Sequence, residues 1–224
     1  MNDKALAAQH AAEMVREGMV VGLGTGSTAN YFIDALAEKH AQGLRFTTVA
    51  SSYISAIRAR DAGLPLTAME HLSEIDLYVD GADEVSPANA LLKGRGSDLV
   101  KEKLLAKAAK QFVVLVDKSK LVSRIGEKYP IPIEVIPFAW QLAKRSLEQA
   151  GGTGDLRPNA SKDGLFMTSH GSLVLEMQFD AARSSSELNL LLNSIPGIVE
   201  HGIFEQLADI VVIADQGQLE IRQS

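Results

Sequence analysis

Cysteine is absent from all 224 residues, which excludes disulfides, thiolate metal ligands and cysteine nucleophiles. Aromatic residues are scarce at 5%, and the single tryptophan, Trp140, has packing in a core or an interface as its default role. Basic residues are in deficit, 22 Lys and Arg against 28 Asp and Glu, and no Lys/Arg stripe appears. A general binder of nucleic acid or of anionic membranes is therefore not expected, although a local basic pocket remains open. No apolar run is long enough to span a bilayer, and Met1 to Arg16 reads as an Ala-rich helix with charges throughout rather than the apolar core of a signal peptide. These absences fit a cytoplasmic protein. What is present is 46% hydrophobic residues, enough to bury a full core in one large domain or one and a half.

Hydrophobic periodicity alternates between short β-rich runs and amphipathic stretches, the pattern of an α/β domain with a largely parallel sheet. It predicts strands over 19–24, 44–50, 65–68, 75–80 and 112–116, and helices over 4–17, 28–41, 52–62 and 98–110. Past Lys120 the pattern changes. Tyr129 to Pro137 holds three prolines in nine residues, too many for a helix or a central strand, and suggests a stiff crossing into a second unit. There the order is α+β: a helix over 138–150, two strand-like runs separated by Ser169-His170-Gly171-Ser172, and a helix near 186–194. The runs 210–214 and 218–222 flank Asp215-Gln216-Gly217, a hairpin turn.

In open α/β sheets, ligands sit beyond the carboxyl ends of the strands. The first such position is the most informative: Val20 to Leu23 runs into Gly24-Thr25-Gly26-Ser27-Thr28 and then a helical pattern. A strand, a glycine-rich loop and a helix start present backbone N–H groups, hydroxyls and a helix dipole to an anion, so a phosphorylated small molecule is expected. No Lys follows the last glycine, and the second strand ends on Ser51-Ser52-Tyr53 without a carboxylate, which disfavours a P-loop and a dinucleotide site. A second position is Asp80-Gly81-Ala82-Asp83-Glu84, whose three carboxylates suit acid/base work or a metal ion, with a polar turn as the plain alternative. A third is Lys93-Gly94-Arg95-Gly96-Ser97 before a helix, an anion cradle or simply a linker. On that helix Val100, Leu104 and Ala108 mark the buried face, which makes Glu102 a solvated residue, although no basic side chain stands at i+3 or i+4 and Asp98 lies four residues before it. None of the five histidines falls in metal-ligand spacing with another.

Taken in order, Gly22 to Ala29, Ser51-Ser52, Asp80 to Glu84, Lys93 to Gly96 with Lys101 to Lys103, and Asp117 to Lys120 resemble ribose-5-phosphate isomerase, type A. Pro132 to Pro137 and Ile195 to Val199 extend the similarity across nearly the whole chain. The resemblance implies a Rossmann-like α/β fold, a largely parallel sheet with helices on both faces, over 1–127 and 204–224, and a smaller α+β, ferredoxin-like domain over 128–203. It implies an isomerase that interconverts ribose 5-phosphate and ribulose 5-phosphate in the pentose phosphate pathway, with neither cofactor nor metal. Thr25, Gly26, Ser27, Thr28 and Lys120 would hold the phosphate. Asp80, Gly81, Ala82 and Asp83 would contact the sugar and help its ring open, Lys93, Gly94, Arg95 and Gly96 would stabilise the developing negative charge, and Glu102 would accept the proton. A homo-oligomer, often a dimer, is also implied. Arg95, Ser97 and Asp98 depart from the family, which commonly has a longer glycine run and an apolar residue near position 98. A sugar-phosphate sensing module would be expected to lack Glu102 or Lys93, and an adenosylmethionine-dependent methyltransferase would rest on Gly22, Gly24 and Gly26 alone.

Overall fold

The structure, a computed structural model, describes residues 2–224. It divides into two compact units: the described residues up to Ala82 with Lys101–Lys120 and Gln206–Ser224, and Asp83–Val100 with Leu121–Glu205. Residues 83–100 and 121–127 thus group with the second unit.

The first unit is built on β1 (Val20–Leu23), β2 (Thr47–Ala50), β3 (Ile75–Asp80), β6 (Ala109–Asp117), β12 (Ile210–Asp215) and β13 (Gln218–Gln223). Their order is β13-β12-β6-β3-β1-β2, parallel except for β13. Apolar, β-branched runs such as Val113 to Val116 suit strands covered on both faces. Against one face pack α1 (Asp3–Ala12), α2 (Ser27–Ala41) and α3 (Tyr53–Asp61), through Ala7, Ala8 and Ala11, through Phe32, Ile33 and Leu36, and through Ala59. The other face carries Gly22, Tyr78 stacked on Phe112, and Asp80. Because β2 lies on one side of β1 and β3, the next strand in sequence, on the other, β1 and β3 flank the point where strand order reverses, and their carboxyl ends open the ligand crevice of such folds. The β12–β13 hairpin turns on Gln216 and Gly217, with φ of 51° and 81°, as a two-residue loop of primed type requires. Asp3, at the start of α1, accepts the N–H groups of both turn residues, at 3.1 and 2.8 Å.

Two expectations for this unit are corrected. The strand over 65–68 is a single bridge, Thr48 to Leu66, because Pro65 has no N–H and contributes only its carbonyl to Thr48. The first helix ends at Ala12 rather than 17, passing into i→i+3 turns at Met14 and Val15.

In the second unit, β7 (Ile131–Val135), α5 (Trp140–Gln149), β8 (Thr153–Leu156), β9 (Leu173–Gln178), α6 (Ser185–Ser194) and β10 (Ile198–His201) follow one another. The antiparallel sheet order β10-β7-β9-β8 makes this a ferredoxin-like βαββαβ arrangement. Its core joins Ile131, Ile133 and Val135 to Leu175, Met177, Leu147 and Leu192. A second sheet of two-residue strands holds β4 (Glu84–Val85), β5 (Leu91–Leu92) and β11 (Ile203–Phe204). The proline-rich segment is therefore not merely a crossing, because β7 is a central strand despite Pro132. The Pro132 carbonyl accepts from Gly202 N–H at 2.8 Å, so its missing N–H faces the side where pairing with β10 has already ended at His201 and no ladder bond is lost. The run before Ser169 forms only isolated bridges at Leu165 and Met167, and the strand that pairs with β9 is the polar, glycine-containing β8. Among the described residues no helix is long and apolar enough to cross a membrane.

Glu134 on β7 is buried, with Thr168, Ser172, the Val100 N–H and the Asp98 carboxylate around it and His170 Nε2 3.3 Å from Oε2. Burial first, then the like charge of Asp98, raise its pKa from 4.5 to about 7. A folded-state pKa raised this way supplies stability that is complete below about pH 4.5 and is lost as pH rises to about 7, on the order of 3 kcal/mol. Glu134→Gln is accordingly expected to gain in melting temperature relative to the parent between pH 5 and pH 8, read by thermal denaturation at both. An unchanged difference would assign the pH dependence elsewhere.

Candidate active site

The loop after β1 is held by Asp80 at the end of β3. Asp80 Oδ1 accepts the backbone N–H groups of Thr25 at 3.0 Å and Gly81 at 2.8 Å, while Oδ2 accepts the Tyr78 hydroxyl at 2.6 Å. This closeness requires glycine at position 24, where a Cβ would lie 2.1 Å from Asp80 Oδ1. The Thr25 hydroxyl turns inward to Ser52 at 2.7 Å, Ser51 at 3.0 Å and Ser55 at 3.1 Å, and Ser55 donates to the Gly24 carbonyl. Thr25 and the Ser51-Ser52 pair thus shape the loop, and Gly26, Ser27 and Thr28 open the N-terminus of α2. Gly26 is the N-cap at φ 108°, with no side-chain cap, so the first N–H groups of a 15-residue helix and its dipole are presented to an anion.

Two cations belong to this end. Lys4 of α1 donates from Nζ to Ser27 Oγ at 2.9 Å. Against its partial burial, the Ser119 hydroxyl and N–H, then Lys120 and Lys4, hold the Asp117 carboxyl below its ordinary value, so both lysines act on one carboxylate. Lys118 instead pairs with Asp215 at 3.0 Å on the surface. Sequence inspection missed Lys4, a lone cation in the first turn of a helix 23 positions from the serine it meets. The only local signal was that a helix dipole disfavours Lys there.

On α4 (Leu99–Ala108) the expected orientation is overturned. Leu104 is 51% exposed, while Leu99, Glu102, Lys103, Leu105 and Ala106 are buried, and Glu102 is only 6% exposed. Apolar residues at 99, 100, 104, 105, 106 and 108 surround much of the helix, so spacing alone could not choose the face. Glu102 lies where it acts on Tyr78: burial first, then the charges of Asp80 and Glu102, push that phenol well above its ordinary range and keep it a donor. The first unit therefore brings Asp80, Tyr78 and Glu102 into one electrostatic cluster beyond the loop at 24–28.

In the second unit, Lys93 is buried, its N–H donating to Gly202 at 2.9 Å and its ammonium 5.6 Å from the Phe204 ring centroid. Gly94 has φ 93°, and a Cβ there would meet Leu99 Cδ1 at 2.7 Å. The Arg95 guanidinium stacks on Tyr129 at 4.0 Å and stands 4.0 Å from Asp83. Glu84 does not join its neighbours as an acid or metal ligand. Its carboxylate accepts the N–H groups of Gly126, Lys128 and Tyr129 at 2.6, 2.7 and 2.8 Å, closing the loop before β7. Among the described residues no three His, Cys, Asp or Glu side chains group as a metal site.

Within the first unit, a buried carboxylate and a loop-held helix terminus suit a phosphorylated substrate that loses and regains a proton, and within the second a lysine-bearing glycine loop suits an anion. Comparison with known proteins agrees. The family model described as ribose 5-phosphate isomerase A (phosphoriboisomerase A) matches residues 47–218. Curated relatives named ribose-5-phosphate isomerase A include one from Thermosynechococcus vestitus, 39% identical over 98% of this chain and 95% of its own, and one from Thermococcus kodakarensis, 42% identical over 94% and 93%. A solved ribose 5-phosphate isomerase A from Methanocaldococcus jannaschii superimposes with a TM-score of 0.93 at 36% identity, covering 100% of this chain and 99% of that one. A D-ribose-5-phosphate isomerase in complex with phospho-erythronic acid gives 0.95 at 38% identity, with 100% of both chains covered. Matches of this extent over the same order of loops and strands show that the chain belongs to the ribose 5-phosphate isomerase A family.

Proposed function

We propose that this chain interconverts D-ribose 5-phosphate and D-ribulose 5-phosphate through an enediol or enediolate, in the non-oxidative branch of the pentose phosphate pathway. Moving the carbonyl between carbon 1 and carbon 2 requires one proton to leave one carbon and arrive at the other, and a carboxylate on one face of the sugar can carry it both ways. Glu102 takes that role, and its burial beside Tyr78 and Asp80 is the observation that carries the proposal. The N-terminus of α2, with Gly26, Ser27 and Thr28, binds the phosphate together with Lys120 and Lys4, and so fixes the reacting carbons. Asp83 contacts the sugar and assists ring opening, while Asp80, Gly81 and Ala82 hold the adjoining backbone. Lys93, Gly94 and Gly96 stabilise the oxyanion, and Arg95 contributes backbone more than side chain. Phospho-erythronic acid, present in a related structure, joins a phosphate to a carboxylate, the two anionic groups these loops suit.

No step in this scheme uses a metal or a redox cofactor. The location we propose is cytoplasmic and the assembly a homodimer, the latter supported by Phe138 and Leu142 of the second unit, 90% and 70% exposed. The test is a coupled assay across ribose 5-phosphate, glucosamine 6-phosphate and other phosphorylated aldoses, run also in deuterium oxide. Ribose 5-phosphate should turn over fastest with solvent deuterium entering the product, and an inert protein would reject the proposal. Lys4→Met and Lys120→Met should each raise KM by about tenfold while kcat changes little, because each removes one charge-assisted contact to a bound phosphate. Unaltered KM in both would remove the lysines from the site.

A further inference from the structure

We propose that Arg157 is a positioning residue for catalysis: its guanidinium gathers the carbonyls of the Lys93–Gly96 loop and thereby turns that loop's N–H groups to the opposite side, as an oxyanion cradle. This rests on the role given above to Lys93 to Gly96.

Arg157 follows β8 in the second unit, with its side chain partly buried at 11% exposure. Its Nη2 donates to the carbonyl of Gly94 at 3.3 Å, and its Nη1 to those of Arg95 at 3.4 Å and Gly96 at 3.1 Å. Nε donates to Glu176 Oε1 at 2.8 Å, and the guanidinium lies 5.0 Å from the centroid of the Phe166 ring. The planar fork is therefore fixed at its base and supported on one face before it meets the loop.

The geometry of the peptide bond supplies the consequence. In a trans peptide the C=O of one residue and the N–H of the next point in opposite directions, and the described residues contain no cis bond. Carbonyls 94, 95 and 96 directed at one cation leave the N–H groups of Arg95, Gly96 and Ser97 directed away from it. Three successive N–H groups on one side of a glycine-rich turn form an anion nest. The far end of the loop is fastened as well: Asp98 accepts from Ser97 Oγ at 2.8 Å and from Ser169 Oγ at 2.6 Å. An ion pair with Glu176 alone would occupy Nε, whereas both Nη groups are spent on the loop carbonyls.

Arg157→Met and Arg157→Lys, made in the full chain, test this. A lysine keeps the charge but cannot bond Glu176 and three carbonyls at once. With ribose 5-phosphate, kcat should fall by about 10²-fold for Met and about tenfold for Lys, the scale of losing oxyanion stabilisation, while KM stays within about threefold. The inhibition constant of phospho-erythronate should rise in step with the loss of kcat, whereas that of inorganic phosphate should not move. Glu176→Gln, which still offers an oxygen to Nε, should lower the melting temperature with kcat near that of the parent. Folded Arg157 variants with parental kcat, equal weakening of phosphate and phospho-erythronate, or a Glu176→Gln loss as large as that of Arg157→Lys would each overturn the proposal. If Met does not fold, Lys decides. A parent protein inert toward ribose 5-phosphate would instead remove the isomerase reading itself.

Discussion

Glu102→Gln is expected to lower kcat for ribose 5-phosphate by about 10³-fold or more, with KM changed by no more than a few-fold, as befits loss of a general base without loss of ground-state contacts. The substitution conserves volume at a position that is 6% exposed, so the helix should stay in place and the loss should reflect chemistry rather than folding. An amide cannot accept the carbon-bound proton, and no other carboxylate in the first-unit cluster is spare, because Asp80 already receives two backbone N–H groups and a phenol. The decisive measurement is exchange of the carbon 2 proton with solvent deuterium, which reports proton removal even if product release limits turnover. Exchange at the parental rate would take Glu102 out of the mechanism. Glu102→Asp, with the carboxylate withdrawn by one methylene, should fall between the two.

Asp80→Ala is expected to have the largest effect on stability, about 3–5 kcal/mol, measured as a shift of the urea midpoint, with activity lost as well. The carboxylate is 1% exposed, and its removal leaves the part-buried Thr25 and Gly81 N–H groups and the fully buried Tyr78 hydroxyl without the acceptor they share. The effect on function follows from the same bonds, since the Thr25 N–H tie sets where the loop hands over to the N-terminus of α2. Asp80→Asn separates the two effects. Its oxygen can still accept both N–H groups, and Tyr78 must then accept rather than donate, so a cost nearer 1 kcal/mol is expected. A midpoint for the alanine variant equal to that of the parent would show that the loop is held by the hydroxyl cluster of Thr25, Ser51, Ser52 and Ser55 instead.

Much of the chain was legible because its local signals agree. Val20 to Thr28 reads as strand, loop and helix from β-branching, glycine and hydroxyl spacing, and folds that way. The face of α4 was not legible. Val100, Leu104 and Ala108 repeat at a helical interval, yet so do other apolar residues of the same helix, and the face that is buried includes Glu102 and Lys103. Burying charges contradicts patterning where a site needs them, so periodicity failed at the residue we propose as the base. Thr25 was assigned to the ligand on its residue type, while its hydroxyl closes an internal cluster whose third serine, Ser55, carried no signal of its own. Lys4 and Arg157 were invisible for another reason. Each reaches a loop distant in sequence, and such partnerships are made by topology rather than by spacing. Pro132 misled because its missing N–H was charged against the whole strand, when only one side of one residue was affected.

The clasp between Asp3 and the Gln216-Gly217 turn joins groups 213 and 214 positions apart, and the neighbouring residue, Lys4, is the one that reaches Ser27. A ribosome releases α1 long before it makes the hairpin that steadies it. The end of the protein that we propose binds the phosphate is therefore among the last parts to mature, and nascent polypeptide stalled short of the final strand pair is expected to carry Glu102 in full yet hold a sugar phosphate poorly.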